Sequence, residues 1–203
     1  PLPRKVRQAG LVGPRLTALI AYLKGPCHAS YSTVATFLRD VVGVKLSRGH
    51  LAKLVQKVSA GLEQSYDELL ARLPTERRLN VDETGHPEQK KRLWTWAFRS
   101  ELFTLYRIDP SRGSDVLIKT LGREFNGVLG CDYFSAYRKY MKDFNVTLQF
   151  CLAHLIRDIK FLAAHPDRDN RRYGELLLDH MRRLFGVIHR RDQFASVKSF
   201  RRE

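Results

Sequence analysis

Cysteine is scarce in this 203-residue chain, with only three copies. Cys27, Cys131 and Cys151 form an odd set without framework spacing, which excludes a disulfide scaffold and suits a reducing cytosol. Long apolar runs are also missing. Nothing approaches the roughly 18 residues of a membrane-spanning helix, so no membrane partner is expected. The basic start, Pro1 to Gly10, has no apolar stretch and no small-residue cleavage site, so no secretory signal is expected. Neither a phosphate-binding P-loop nor a dinucleotide fingerprint occurs, which argues against ATP or NAD chemistry. The first residue is not methionine, and the chain is expected to be a piece of a longer product.

Acidic residues are in deficit. The chain carries 36 Lys and Arg against 21 Asp and Glu, a formal net charge of +15. A solvated basic surface would account for this, but so would a polyanion partner, since phosphate electrostatics dominate nucleic acid affinity. The distribution favours the polyanion. Residues 1–80 carry +8, residues 81–165 carry +3 and residues 166–203 carry +4. A hydrophobic fraction of 43% supports a packed core and argues against global disorder.

The first eighty residues have helical periodicity. Leu16, Leu19, Ile20 and Leu23 share one face, and Gly25-Pro26 stops that helix. Ser32 is expected to cap a second helix carrying Val34, Phe37, Leu38 and Val41, ending at Gly43. Ser47 is expected to cap a third, with Leu51, Leu54, Val55 and Val58 on one face. Helix, turn and helix in this order resemble a helix-turn-helix, whose second helix would present Arg48, His50, Lys53 and Lys57 outward to DNA. An ordinary helical hairpin has the same pattern. A fourth helix over 62–73 ends before Pro74, and residues 1–76 are read as one helical, DNA-binding region.

From Leu79 the period changes to that of strands. Leu79 to Thr84 is the first. Arg92–Arg99 and Leu102–Ile108 form a hairpin about Ser100-Glu101. A helix over 114–121, capped by Ser114, is followed by a strand over 125–132 and a helix from Ser135. A strand over 146–151 and a helix over 153–164 come next, and a helix over 170–191 closes the chain. Three strands in tight succession, then strand and helix in alternation, predict a mixed α/β sheet with a parallel pairing of the first and fourth strands. This is the ribonuclease H-like order, and residues 77–165 are read as that core. Residues 166–203 are read as the start of a helical insertion.

Two strands end in carboxylates, at Asp82 and Asp132. A carboxylate at the end of a buried strand needs a compensating cation. Two on neighbouring strands supply half of a divalent-metal site, and oxygen ligands suit Mg2+ or Mn2+. Glu83 alternates to the opposite side and is secondary. Cys151-Leu152-Ala153-His154 lacks the further ligands of a zinc site. Cys151 is therefore expected to be a small buried hydrophobe, with His154 near the sheet's end in reach of a phosphate. Tyr133, Tyr137 and Tyr140 fall at a packing spacing rather than as nucleophiles. Arg112, Arg138 and Lys139, with Lys90, Lys91 and Arg92, are expected to guide DNA phosphates.

These residues together resemble the bacterial insertion sequence 66 family of DDE transposases. The resemblance is carried by Val81-Asp82-Glu83-Thr84-Gly85, Leu93-Trp94-Thr95-Trp96, Ser111-Arg112-Gly113-Ser114, Cys131-Asp132-Tyr133-Phe134-Ser135-Ala136-Tyr137 and Cys151-Leu152-Ala153-His154. It implies a ribonuclease H-like domain that cuts and joins transposon DNA with two Mg2+ (or Mn2+) ions, and an upstream helical region that contributes to DNA binding. It implies that Asp82 and Asp132 are the first two acidic residues of a catalytic triad. The partners implied are double-stranded DNA, as transposon ends and target, and further copies of the chain. The location implied is the bacterial cytoplasm, at the nucleoid. The third residue of the triad, a glutamate in a motif like Asn-Asn-x-x-Glu, has no match before Glu203, and the surroundings of Glu175 differ. The alternatives are a DNA-binding protein without catalysis, or a decayed remnant, and a metal-dependent nuclease of the same fold class.

Overall fold

A computed structural model describes residues 12–194 and 196–202, so the basic segment Pro1 to Gly10 lies outside the described residues. The chain divides into two compact units, Pro1–Ala71 and Arg72–Glu203.

The first unit is helical. Helix α1 spans Pro14–Lys24, α2 Tyr31–Asp40 and α3 Arg48–Gly61. Their apolar stripes meet in a core of Val12, Ile20, Val34, Leu38 and Leu51, with Leu16, Leu23, Phe37, Leu54 and Val55 around it. Ser30, not Ser32, caps α2: its Oγ accepts the Thr33 N–H at 3.0 Å, which starts the helix two residues early. Ser47 caps α3 as expected, accepting the His50 N–H at 3.2 Å. Gly43 takes φ +73° in the α2–α3 connection, a left-handed conformation that glycine adopts without strain. Helix α4 spans Glu63–Arg72 and runs to the unit boundary, after which a 3₁₀ turn at Leu73–Thr75, with Pro74 near its start, opens the second unit.

The second unit is built on five strands: β1 Arg78–Glu88, β2 Lys91–Arg99, β3 Thr104–Asp109, β4 Val128–Cys131 and β5 Thr147–Phe150. Their order in the sheet is β3-β2-β1-β4-β5. β1, β2 and β3 are antiparallel neighbours, whereas β4 runs parallel to β1 and β5 parallel to β4. This mixed sheet has the ribonuclease H-like arrangement that the element order predicts. Helices α5 (Ser114–Leu121) and α6 (Ser135–Phe144) supply the crossovers, and α7 (Leu152–Ala163) and α8 (Arg168–His189) follow. A short α9 covers Val197–Phe200.

Alternation along the strands decides which side chains enter the core. Leu79, Val81 and Glu83 of β1 are buried and Asn80, Asp82 and Thr84 are exposed. Trp96 and Phe98 of β2 are fully buried, their rings stacked 6.3 Å apart, and Tyr137 of α6 meets Trp96 edge-on at 6.1 Å. Val116, Leu117, Leu121, Leu129 and Tyr140 complete this core. Tyr137 and Tyr140 thus pack as their spacing predicts, and Tyr133 lies against Phe150 at 4.7 Å.

Several boundaries differ from the expectation. β1 runs on to Glu88 in its pairing with β2, so Asp82 lies within the strand and not at its end, and β4 covers only Val128–Cys131, stopping one residue before Asp132. Gly113, not Ser114, is the N-cap of α5. The β2–β3 connection is longer than two residues, because Ser100 organises it. The Ser100 N–H donates to the Phe103 carbonyl at 2.9 Å, and its Oγ accepts the N–H groups of Leu102 and Phe103. Leu102, expected in β3, is therefore 77% exposed in that loop. Finally, α8 starts two residues before Asn170, where Asp167 accepts the Asn170 N–H at 2.9 Å.

Candidate functional site

The parallel pairing of β1 with β4 matches Arg78 with Val128, Leu79 with Leu129 and Asn80 with Gly130. That register ends at Asn80 and Gly130, two residues before Asp82 and Asp132, so the two aspartates follow the last paired residues of adjacent parallel chains. Both line one cleft of about 540 Å³, together with Ala97, Tyr106, Gln149, Cys151, His154 and Phe185. Asp82, Asp132 and His154 thus line the same cleft.

Each aspartate is anchored through one oxygen. The Glu83 N–H donates to Asp82 Oδ1 at 3.1 Å, and the Phe134 N–H donates to Asp132 Oδ1 at 2.8 Å. Neither Oδ2 has a hydrogen-bond or ion-pair partner among the described residues. Two hard carboxylate oxygens with lone pairs free, in an open cleft, suit a magnesium-type ion that retains water ligands. The donor set fits such an ion in part. Among the described residues no group of three His, Cys, Asp or Glu side chains stands close enough to hold a metal, and Glu175 lies exposed on α8 away from the cleft.

Behind the two aspartates, on the covered face, lies a buried polar cluster. The Glu83 side chain is 1% exposed; Arg112 Nε donates to its Oε1 at 3.0 Å, and the Tyr137 hydroxyl donates to its Oε2. The Arg112 guanidinium sits over the Phe134 ring at 4.0 Å and over the Trp94 ring at 4.5 Å. Burial pushes the Glu83 carboxyl above its ordinary value, against the opposing pull of Tyr137 and Arg112. Burial first, and then the hydrogen bond to Glu83, drives the Tyr137 hydroxyl far above its ordinary value. The loop that delivers Arg112 is itself pinned. Ser111 offers its carbonyl to Trp96 Nε1 at 3.1 Å, its N–H to Asp109 at 2.9 Å and its Oγ to Asp115 at 2.6 Å.

Sequence parity places Glu83 away from Asp82, yet it does not reveal the partners that make Glu83 buried. Those partners are 29 and 54 positions away. The one signal available was the pairing of an acidic residue with a strand position flanked by Leu79 and Val81, where an unpaired charge would be costly. Arg112, expected at phosphates, directs its guanidinium into this cluster.

The other singled-out residues are dispersed. Arg48, Lys53 and Lys57 are exposed on α3. His50, expected outward, is half-buried with Nε2 enclosed and without a partner among the described residues, because position 50 shares a helix row with Leu54 at the edge of the apolar stripe. Arg138 is exposed on α6, and the neighbouring Lys139 pairs with Asp143 at 2.8 Å. Cys151 is half-buried rather than buried, and hydrogen bonding from the side chain and then the backbone of His154 holds its thiol below the ordinary range. Cys131 is the buried one, its thiol pushed up to about 12 by desolvation and the nearby Asp132 and Glu83 charges.

Residues 9–202 match the family described as Transposase IS66 family. The chain belongs to the IS66 transposase family. The chain is also similar to the "Uncharacterized protein y4jD" of Sinorhizobium fredii (strain NBRC 101917 / NGR234), 28% identical over 191 residues that cover 82% of this chain and 37% of that protein. The chain thus spans little more than a third of the length of that curated relative. Among solved structures, the simian T-cell lymphotropic virus intasome in complex with PP2A regulatory subunit B56 gamma aligns at 10% identity and TM-score 0.31. That alignment covers 49% of this chain and 46% of the viral one. The HTLV-2 integrase catalytic core domain in complex with magnesium aligns at 12% identity and TM-score 0.29, over 43% of this chain and 69% of that one. At such scores the fold assignment rests on the sheet topology itself.

Proposed function

We propose that this chain carries the DNA-cutting and DNA-joining site of an IS66 transposase, with Asp82 and Asp132 as its metal-binding carboxylates. The observation that supports it is that both aspartates line one cleft just beyond the β1–β4 pairing, each with one oxygen held by a backbone N–H. Mg2+ or Mn2+, as a pair of ions in the complete enzyme, would activate the attacking oxygen and stabilise the leaving oxygen of a phosphodiester. Asp82 and Asp132 hold the metal and are oriented by the backbone. His154, at the start of α7 in the same cleft, contacts a substrate phosphate. Residues 1–76 bind DNA through Arg48, Lys53 and Lys57, Arg138 and Lys139 guide the strand near the core, and residues 166–203 begin a helical insertion. Transposon ends and target DNA are the substrates, in a complex of several copies.

The test is Mn2+-dependent nicking of duplexes that carry the ends of the element. Nicking is expected to need the metal and to drop at least about a hundredfold in Asp82→Asn and in Asp132→Asn, as loss of a charge-stabilising group does. Metal-dependent nicking that survives both substitutions overturns the site. Tight DNA binding with no nicking by the unaltered chain would favour the alternative, a DNA-binding protein without catalysis.

A further inference from the structure

The β1–β4 ladder stops short of the site. Its last matched pair is Asn80 with Gly130, and β4 ends at Cys131, so at Asp82 and Asp132 no sheet hydrogen bond sets the separation of the two chains. A metal site needs its ligands held to within about half an ångström. Something other than the ladder must supply that precision.

The buried cluster behind the sheet runs from one aspartate to the other without a break. Glu83 holds Asp82 Oδ1 through its N–H while its side chain accepts from Arg112 and Tyr137. The Arg112 guanidinium lies 4.0 Å above the Phe134 ring, and the N–H of Phe134 holds Asp132 Oδ1. Tyr137 closes a second path, because it stands in the first turn of α6, directly after the Asp132 turn. Both backbone groups that orient the aspartates therefore belong to residues locked by Arg112. The chemistry is also suited to stiffness. A guanidinium held between two rings and a carboxylate has few alternative positions, and although the Arg112 side chain is itself 38% exposed, its loss leaves the buried Glu83 carboxyl without its cationic partner.

We propose that Arg112, Glu83 and Tyr137, with Phe134, form a strut on the covered face of the sheet that sets the spacing of Asp82 and Asp132 for metal binding. This rests on the assignment of the two aspartates as metal ligands. Arg112 and Tyr137 are positioning residues here: they touch neither metal nor DNA and act through Glu83 and Phe134.

The test is a Mn2+ titration of the full 203-residue chain, followed by the broadening of the amide signals of residues 82–84 and 132–134. Tyr137→Phe, which removes one hydroxyl, and Arg112→Lys, which keeps the charge but loses the planar stacking, are each expected to weaken Mn2+ about tenfold or more, the range seen when outer-shell partners are removed. Tyr140→Phe is the control. Its hydroxyl donates to the Gly122 carbonyl at 2.6 Å, so it is the hydrogen bond of another fully buried tyrosine on the same helix but outside the strut. It should lower thermal stability comparably and leave Mn2+ affinity unchanged. Should Tyr137→Phe fail to fold, Phe134→Leu removes the aromatic face under Arg112 and takes its place, with the same expected weakening. Wild-type affinity in Tyr137→Phe and Arg112→Lys, or equal weakening in Tyr140→Phe, overturns the strut while leaving the metal assignment intact. Binding that ignores Asp82→Asn and Asp132→Asn overturns both.

Discussion

The two cysteines near the cleft show how burial and hydrogen bonding separate residues of one type. Cys131 and Cys151 lie on adjoining chain ends, where the Cys151 N–H donates to the Cys131 carbonyl at 2.7 Å. Desolvation and the neighbouring negative charges lift the Cys131 thiol to about 12, so almost none of it is thiolate near neutrality. His154 moves Cys151 in the opposite direction, below the ordinary thiol value of 9.0, so its thiolate appears at lower pH. The thiolate is the form that alkylates. Iodoacetamide at pH 7.5–8, as a mild alkaline condition of about one unit above neutral, should therefore label exposed Cys27 and half-buried Cys151 and spare Cys131 until the chain is unfolded. Peptide mass spectrometry reads the order directly, and a Cys131 that labels as fast as Cys151 would contradict this picture of the cleft. Sequence spacing alone treats Cys151 as an inert small hydrophobe. That description suits Cys131, because alternation buries the last residue of β4 whereas the first turn of α7 leaves its cap half open.

Among the elements, strand order was legible because the alternation of Trp94, Trp96 and Phe98 and of Leu79 and Val81 carries strong local signals, although β1 runs on past Asp82 to Glu88 and β4 stops one residue before Asp132. Caps and loops were less so. Ser30 and Ser32 are equally good N-caps by residue type, and only the tertiary position of the chain selects Ser30. Apolar Leu102 extended the expected β3, since nothing local announces that Ser100 would make four hydrogen bonds, three through its Oγ and one through its N–H, and lengthen the turn. The Arg112–Glu83–Tyr137 cluster was invisible for a related reason: it joins three elements remote in sequence. Close packing of helices is another such property. Gly174 of α8 is buried against the end of α7, and a Cβ there would lie 2.6 Å from Ala163 Cα. Gly186 of the same helix has nothing within 4 Å. Alanine at either site gains up to about 1 kcal/mol of helix propensity. At Gly174 the clash is with main chain, which cannot swing aside, and overpacking of about 1–3 kcal/mol wins. Gly186→Ala should therefore raise the denaturant midpoint and Gly174→Ala should lower it. Equal shifts of the same sign would mean that α7 and α8 do not pack as described.

At the scale of the whole chain, the net charge of +15 has to act through particular cations, and their pairing decides which ones are free to do so. Lys119 and Lys139 are each tied to a carboxylate four residues away, at 3.1 and 2.8 Å. Arg48, Lys53 and Lys57 on α3 are exposed and have no carboxylate partner among the described residues. A cation that replaces a counterion on DNA contributes to the salt dependence of binding, whereas one already neutralised by a neighbour contributes less. Alanine at Arg48, Lys53 or Lys57 should each reduce the slope of log K against log salt by about 1, with a similar loss of affinity for every DNA sequence. Lys119→Ala serves as the comparison, since its partner Asp115 already occupies it, and should leave the slope close to that of the unaltered chain. His50→Ala should also change the slope little, because its enclosed Nε2 keeps the ring in the helix's apolar margin. Fluorescence anisotropy at four or five salt concentrations is sufficient, about the number a straight-line slope requires. If the slope is unchanged across the three α3 variants, DNA binding does not run through α3, and the excess charge of residues 1–80 must act through other cations.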